Sequence, residues 1–381
     1  MAFYQKQGKV PNKRHIQFRD QNGNLYYEEL ISRKGFSSLY SNTYHINSPT
    51  VVKKIGEFQK IKKTPIKGTH RHHHIRTFDL ESSGDAIKSR LSLFYNNDVE
   101  LSIAKVDQSM NTYYRNGHHD EIIFIQSGSG NFFSNFGTMD LHQGDYLIIP
   151  RGIIWKIDVV EKMNQFIIET NGLVETPIKY RNSFGQLLEH APFSERDIRT
   201  PILEEPKNDG PSIIKTKLNG GYQDYEYFHH PFDIIGWDGY YYPWILNIND
   251  FMPITGKIHQ PPPVHQTFQA PGIVVCSFVP RMFDYHPEAI PAPYAHSNID
   301  SDEILFYAGG EFMSRNNIEE GSITFHPSGL PHGPHPGKIE ESIGKDRTNE
   351  LAIMVDTFKP LTISTLAKEA DDEEYPMSWK T

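Results

Sequence analysis

The stretch HSNIDSDEILFYAGGEFMSRNNIEEGSITFHPSGLPH, residues 296–332, repeats the plan of HHDEIIFIQSGSGNFFSNFGTMDLHQGDYLIIPRGIIW, residues 118–155. Each copy opens on histidine and an Asp-Glu pair, and the pair starts an apolar strand. Six residues then separate the glutamate from a glycine, Glu303 from Gly310 and Glu121 from Gly128. Each copy continues with glycine, five residues, proline, one residue, glycine, two residues and a large side chain. The later copy supplies Gly321, Pro327, Gly329 and His332, whereas the earlier supplies Gly144, Pro150, Gly152 and Trp155.

Outward from the repeat the chain also reads as strands. Apolar runs recur in EIIFIQSG, GDYLIIP, WILNIND, GIVVCSFVP, EILFYAGG, GSITFHP and ELAIMVDTF, bounded by turn residues. The 26 prolines, 28 glycines and 47 aromatic residues (23 Phe, 20 Tyr, 4 Trp) fit short strands joined by turns. Helices are expected only in ERDIRTPILEE and near LTISTLAKEAD. With 37% hydrophobic and 22% charged residues the composition is that of a soluble globular chain. The net charge of -9 argues against nucleic acid or an anionic membrane as main partner, since both reward a basic face. Cys276 is the one cysteine, which excludes an intrachain disulfide and suits a reducing, cytoplasmic compartment; it reads as a buried small apolar residue. The N-terminal stretch lacks an apolar signal core, and no apolar run approaches the ~18 residues of a membrane span.

The two-part pattern resembles that of the cupins, small antiparallel β-barrels or jelly rolls. The resemblance implies a mainly β, two-barrel (bicupin) jelly-roll architecture with a few short helices. Residues 1–110 are expected to form a β-rich region packing on the barrels, 111–175 the first cupin motif and 176–240 a connecting segment. Residues 241–360 would form the second barrel, and 361–381 a tail. In cupins the first motif supplies histidine and glutamate ligands and the second another histidine. The later copy has Ser297 and Asn298 where the second histidine of an H-x-H would fall, which leaves His296, Glu303 and His332 as the metal set. Two imidazoles and a carboxylate on one face of a metal suit non-heme Fe(II) oxygenases, with zinc or manganese as the alternative. Asp302 is the alternative carboxylate; strand alternation should turn it to the opposite face from Glu303. In the earlier copy the indole of Trp155 cannot ligate. That copy is expected to be metal-free, with His118, His119 and Glu121 as polar or structural residues.

Longer stretches resemble the homogentisate 1,2-dioxygenases: YQKQGKVPNKRHIQFRD and GNLYYEELISRKGFSSLYSNTYH near the N-terminus, PFDIIGWDGYYYPW at 231–244, and the run from PYAHSN to LPHGPH. The His–Glu interval is one residue longer here than the family's usual H-x5-E. The resemblance implies Fe(II)-dependent, extradiol-type opening of homogentisate by dioxygen to maleylacetoacetate, a step of tyrosine and phenylalanine catabolism. It also implies a homo-oligomer, trimer or hexamer. His259 is the family's basic histidine and the expected catalytic base, with His265 the competitor. Arg315 and Tyr294 are the candidates to hold the substrate's acetate. His326 is expected near the substrate, orienting substrate or ligand, and His332 borders the substrate as well as the metal. Phe312 stands where the family commonly has tyrosine. His335 reads as a loop residue, and the tract HRHHH, 70–74, as a surface loop or interface. Rival readings are a cupin dioxygenase for gentisate or another hydroquinone, a metal-free bicupin binding protein, and a sugar isomerase.

Overall fold

The protein is described here as a computed structural model covering residues 3–66 and 70–380. Strands dominate, as the alternating patterns require, and each expected apolar run forms one. The strands Asp120–Ser134, Asp145–Ile149 and Ile154–Thr170 build the first copy, and Asp302–Gly309, Ile323–His326 and Leu351–Thr357 the second. Of the two expected helices, Thr365–Glu369 forms a single short one. ERDIRTPILEE instead makes a 3-10 turn at Glu195–Asp197, held by a capping box from Ser194, and runs into the strand Ile198–Arg199. Among the described residues, no helix is long and apolar enough to cross a membrane.

The repeat is visible in the backbone as well as in the sequence. Gly128 and Gly310 hold φ of +83° and +80°. A Cβ at Gly128 would lie 2.0 Å from the carbonyl oxygen of Lys162, and one at Gly310 equally close to that of Asn349. Both copies therefore need glycine where a neighbouring backbone crosses closely, at an irregularity within Asp120–Ser134 in the first and just after Asp302–Gly309 in the second.

Three larger sheets and a two-stranded one, Arg281–Met282 with Arg347–Thr348, organise the described residues. A four-stranded sheet near the N-terminus runs in the order Gln5–Gly8, Ile234–Gly239, Tyr40–His45, Tyr27–Ser32, so the stretch 231–244 supplies an inner strand to the N-terminal segments. A large sheet holds the first copy. A six-stranded sheet holds the second, in the order Gln266–Ala270, Ile273–Phe278, Leu351–Thr357, Asp302–Gly309, Ile323–His326, His73–Ile75. The sheets are cupin-like but open rather than closed rings of hydrogen bonds. Loops between 254 and 298 and around 312–315 complete the wall opposite the second sheet.

Strand alternation divides Asp302–Gly309 into two faces. Ile304, Phe306 and Ala308 enter a core shared with the first copy, where Phe306 stacks on Phe166 with ring centres 4.7 Å apart. Across the same seam Tyr146 and Ser277 share a hydrogen bond of 2.8 Å. Glu303, Leu305 and Tyr307 face the other way, into a cavity.

The chain ends are exchanged between the halves. His73–Ile75 pairs with Ile323–His326 at the edge of the second sheet, and Thr362–Ile363 pairs with Phe94 and Tyr95 in the first. This corrects the expectation of a surface loop at 70–74. His73 is buried, donates to Asp371 at 2.9 Å and stacks on Phe325, while His74 meets Ser322 Oγ at 3.0 Å. Only His70 of the five is exposed.

Candidate metal centre

The second sheet and one bridge bring the three expected ligands together. Glu303 is the second residue of its strand and sits in register with His326 on one neighbour and Asp356 on the other. His296 and His332 lie outside regular strands but pair with each other through both backbone groups, N to O at 2.8 and 2.9 Å. That bridge sets their rings 4.3 Å apart beside Glu303. His332 Nε2 is 3.4 Å from one carboxylate oxygen and His296 Nε2 is 3.7 Å from the other. One donor atom from each of His296, Glu303 and His332 lies within 4.8 Å of the others.

The outward nitrogens fix the tautomers. His332 Nδ1 donates to Leu330 O at 3.1 Å and His296 Nδ1 to Tyr294 O at 3.3 Å. With the protons placed there, both Nε2 lone pairs face the carboxylate. His332 Nε2 is buried and has no hydrogen-bond partner. Three electron-pair donors turned toward one point leave a place that a cation satisfies. The carboxylate keeps its charge: burial pushes the Glu303 carboxyl up, but the three imidazoles around it, of which His326 donates a hydrogen bond, hold it well below the usual range. The same contact, against burial, raises the His296 imidazole. A proton on His296 and a metal at Nε2 therefore compete for one lone pair.

Asp302 points the other way. Its carboxylate accepts from the backbone N–H of Ser328 at 2.8 Å and of Leu361 at 2.7 Å, so it fastens the tail to the strand.

His326 does not line the cavity, so of its two expected roles, orienting substrate or ligand, the geometry serves the ligand. It lies fully buried behind Glu303, donates from Nδ1 to the carboxylate at 2.7 Å and approaches the Tyr375 hydroxyl at 3.4 Å through Nε2. Burial drives its pKa down to about 3, so it serves Glu303 as a neutral donor. His335 lies in a loop, as expected, but not at the surface. It is buried, accepts from Asn316 N at 2.9 Å, shares a 3.1 Å bond with Ser378 Oγ and packs edge-on to Trp379. Trp379 in turn donates to Gly333 O at 3.1 Å, so the tail closes one side of the centre. His72 also packs there, its ring 5.4 Å from His326 and 6.0 Å from His332. Sequence reasoning missed His72 and the tail, because neither carries a local signal linking it to the centre: His72 lies 259 positions from Pro331, and Trp379 lies 46 from Gly333.

The other expected residues border a cavity of about 1010 Å³ that opens from the triad. Arg315 is buried, donates to Gly333 O and lies 5.7 Å from the Trp379 ring, while its Nε is buried without a partner. His259 has a side chain 59% exposed, with Nδ1 3.5 Å from Asp284 Oδ2. Asp284 is itself fixed by the N–H groups of Gly256 at 3.0 Å and Gln260 at 2.7 Å. Tyr294 is exposed, its ring 5.6 Å from that of His259. His265, the competitor base, is buried, and burial followed by nearby Arg281 lowers its pKa to about 3. Such a group holds no proton at neutral pH and is a weak base. Phe312 packs edge-on to Tyr307, ring centres 4.6 Å apart.

The first copy fills the matching place from the chain itself. Arg90 lies 2.6 Å from Glu121 and 3.0 Å from Glu169, and Lys217 lies 2.7 Å from Glu169. All four side chains are buried. Trp155 covers them, its ring 6.0 Å from the Arg90 guanidinium carbon. His118 is exposed and accepts from Asn219 N at 2.9 Å. His119 is half-buried, and burial lowers its pKa.

The homogentisate 1,2-dioxygenase N-terminal family model matches residues 60–248. A "Putative dioxygenase" of Saccharolobus solfataricus is 43% identical over 385 aligned positions, covering the whole of both chains. The homogentisate 1,2-dioxygenase of Rhizobium meliloti is 24% identical over 70% of this chain and 62% of its own length. The human homogentisate 1,2-dioxygenase is 24% identical over 75% of this chain and 68% of its own. Among solved structures, a cupin 2 conserved barrel protein from Leptotrichia buccalis overlaps 80% of this chain loosely, at 11% identity and a TM-score of 0.34. Given full-length similarity to the Saccharolobus protein and the match to the homogentisate 1,2-dioxygenase model, the chain belongs to a family of homogentisate dioxygenase-like cupin dioxygenases.

Proposed function

We propose that the chain is an Fe(II)-dependent dioxygenase that opens a hydroquinone ring, with homogentisate as the reference substrate and maleylacetoacetate as its product. One observation carries this reading: the Nε2 atoms of His296 and His332 and the carboxylate of Glu303 face one point at the end of a cavity. Fe(II) held there would supply an open face on which a phenolate and dioxygen can be neighbours and a path for electrons from the phenolate to dioxygen, so that the substrate itself is the reductant. In the overall reaction one ring C–C bond and the O–O bond break, and both oxygen atoms enter the product. No further reductant is required.

The rest falls to the chain. His259 accepts the proton of the substrate hydroxyl, steadied by the fixed carboxylate of Asp284. Arg315, buried with an unpartnered Nε, offers a charged hydrogen bond to the acetate. Tyr294 borders the same space. His326 holds the Glu303 carboxylate in place, and the tail residues Tyr375 and Trp379 keep water from that side.

Oxygen uptake after anaerobic loading with Fe(II), with homogentisate as substrate, tests the reading. Iron-dependent uptake with formation of the ring-opened product is expected; its absence would overturn the assignment. His259→Ala should keep its iron while turnover falls about 10²-fold or more; full activity would remove His259 from the role.

A further inference from the structure

The cavity is too large and too apolar for homogentisate alone. It measures about 1010 Å³, whereas the dozen heavy atoms of homogentisate fill at most about 360 Å³ even at a water's share of liquid volume, ~30 Å³ each. Its floor is set by strand register. Glu303 lies opposite Asp356, and the next inward pair is Leu305 opposite Met354. The pair after that is Tyr307 opposite Ala352, and Ala352 faces Phe278 on the following strand. Two steps of about 6.7 Å each carry this floor roughly 13 Å from the carboxylate ligand. All these residues line the cavity, together with Val264 and Phe312. Polar groups gather at the triad and again beside Phe278, where Arg281 pairs with Glu350 at 2.9 Å; the floor between these two ends is aliphatic and aromatic.

We propose that the substrate class is a hydroquinone whose ring carries an extended apolar substituent, lying along the Leu305–Met354 and Ala352–Phe278 rows. This rests on the dioxygenase reading above and leaves its reaction unchanged. The cleaved bond is still one ring C–C bond and both oxygen atoms still enter the product, so the tail takes no part in the chemistry. Phe312 fits the same class: against an apolar tail a phenyl ring loses nothing, whereas a tyrosine hydroxyl would be left without a partner.

The test compares homogentisate with homogentisate bearing a hexyl chain on the ring. Both would be titrated calorimetrically into the full chain loaded anaerobically with Fe(II). The two probes share one head group and differ only in the tail. The hexyl probe is expected to bind about 30-fold tighter or more, with a matching rise in kcat/KM for oxygen uptake. Met354→Trp and Val264→Trp fill the proposed path, and in either variant that folds the preference should fall below about threefold. Equal or weaker binding of the hexyl probe would overturn the proposal alone, since homogentisate would still bind. A preference that survives in both folded variants would also overturn it, because the tail would then lie elsewhere. Failure of both probes to bind would bring down the dioxygenase reading as well.

Discussion

Glu121 in the first copy and Glu303 in the second occupy equivalent places in the repeat, each buried on a strand that opens with an Asp-Glu pair. Glu121 meets the Arg90 guanidinium at 2.6 Å, and its neighbour Glu169 meets Lys217 at 2.7 Å. Glu303 meets imidazoles: His326 at 2.7 Å, His332 at 3.4 Å and His296 at 3.7 Å. A buried carboxylate needs a cation or strong donors. One copy draws its cations from its own side chains and seals them under Trp155. The other keeps two nitrogen lone pairs free and opens onto a cavity. The same backbone plan thus yields a structural ion-pair cluster in one half and a candidate metal centre in the other.

The largest expected effect breaks the second half. Glu303→Gln should abolish metal binding and lower turnover at least ~10³-fold, since one of three ligands is lost, while circular dichroism stays that of the folded chain. The matching change in the first half should act on stability instead. Arg90→Met strands Glu121 without a cation and should cost about 3–5 kcal/mol of unfolding free energy, read from the urea midpoint, with metal content unchanged. If Arg90→Met emptied the metal centre of a folded protein, the two halves would not be independent. His326→Ala should weaken metal affinity about 10–100-fold by releasing the Glu303 carboxylate, measured by competition with a chelator.

The smallest effect separates the halves by pH. His265 and His335 are buried neutral, with pKa values lowered to about 3 and about 4 from an ordinary value near 6.5. For such groups the unfolded state binds more protons. Their contribution is therefore complete above pH ~6.5 and is lost as the pH falls toward 3–4. In the first half, burial raises the Glu100 carboxyl, but Lys217 and Lys63 outweigh it and lower the pKa to about 2, so Glu100 keeps its charge through the same window. Hydrogen exchange between pH 7 and 5 should show protection falling first around residues 265 and 335, with the strand 120–134 lasting longer. The reverse order would contradict the contrast.

Much of this contrast was legible in the sequence. The glycine and proline spacings located both copies, and the alternation of Asp302, Glu303 and Ile304 told which carboxylate faces inward. Trp155 in place of histidine signalled that the first copy lacks a closing ligand. What fills that copy was not legible, because Arg90 and Lys217 lie 31 residues before and 96 after Glu121 and reach it only through sheet pairing. The same long-range pairing hid the burial of 73–74, where three histidines in a row look solvated until the strand beside 323–326 gives them partners. His326, expected to orient substrate or ligand, touches the ligand, since the carboxylate of Glu303 stands between it and the cavity. The expected helix at 195–205 failed because Ser194 and Asp197 cap a turn that Pro201 prevents from lengthening.

The central claim is that one divalent metal is held per chain, by His296, Glu303 and His332. Anaerobic titration with Fe(II), followed by elemental analysis of the desalted protein, measures this directly in the native chain and in Glu303→Gln and Glu121→Gln. One iron per native chain, none in Glu303→Gln and one in folded Glu121→Gln is the expected result. Two irons in the native chain, or one retained in Glu303→Gln, would contradict it.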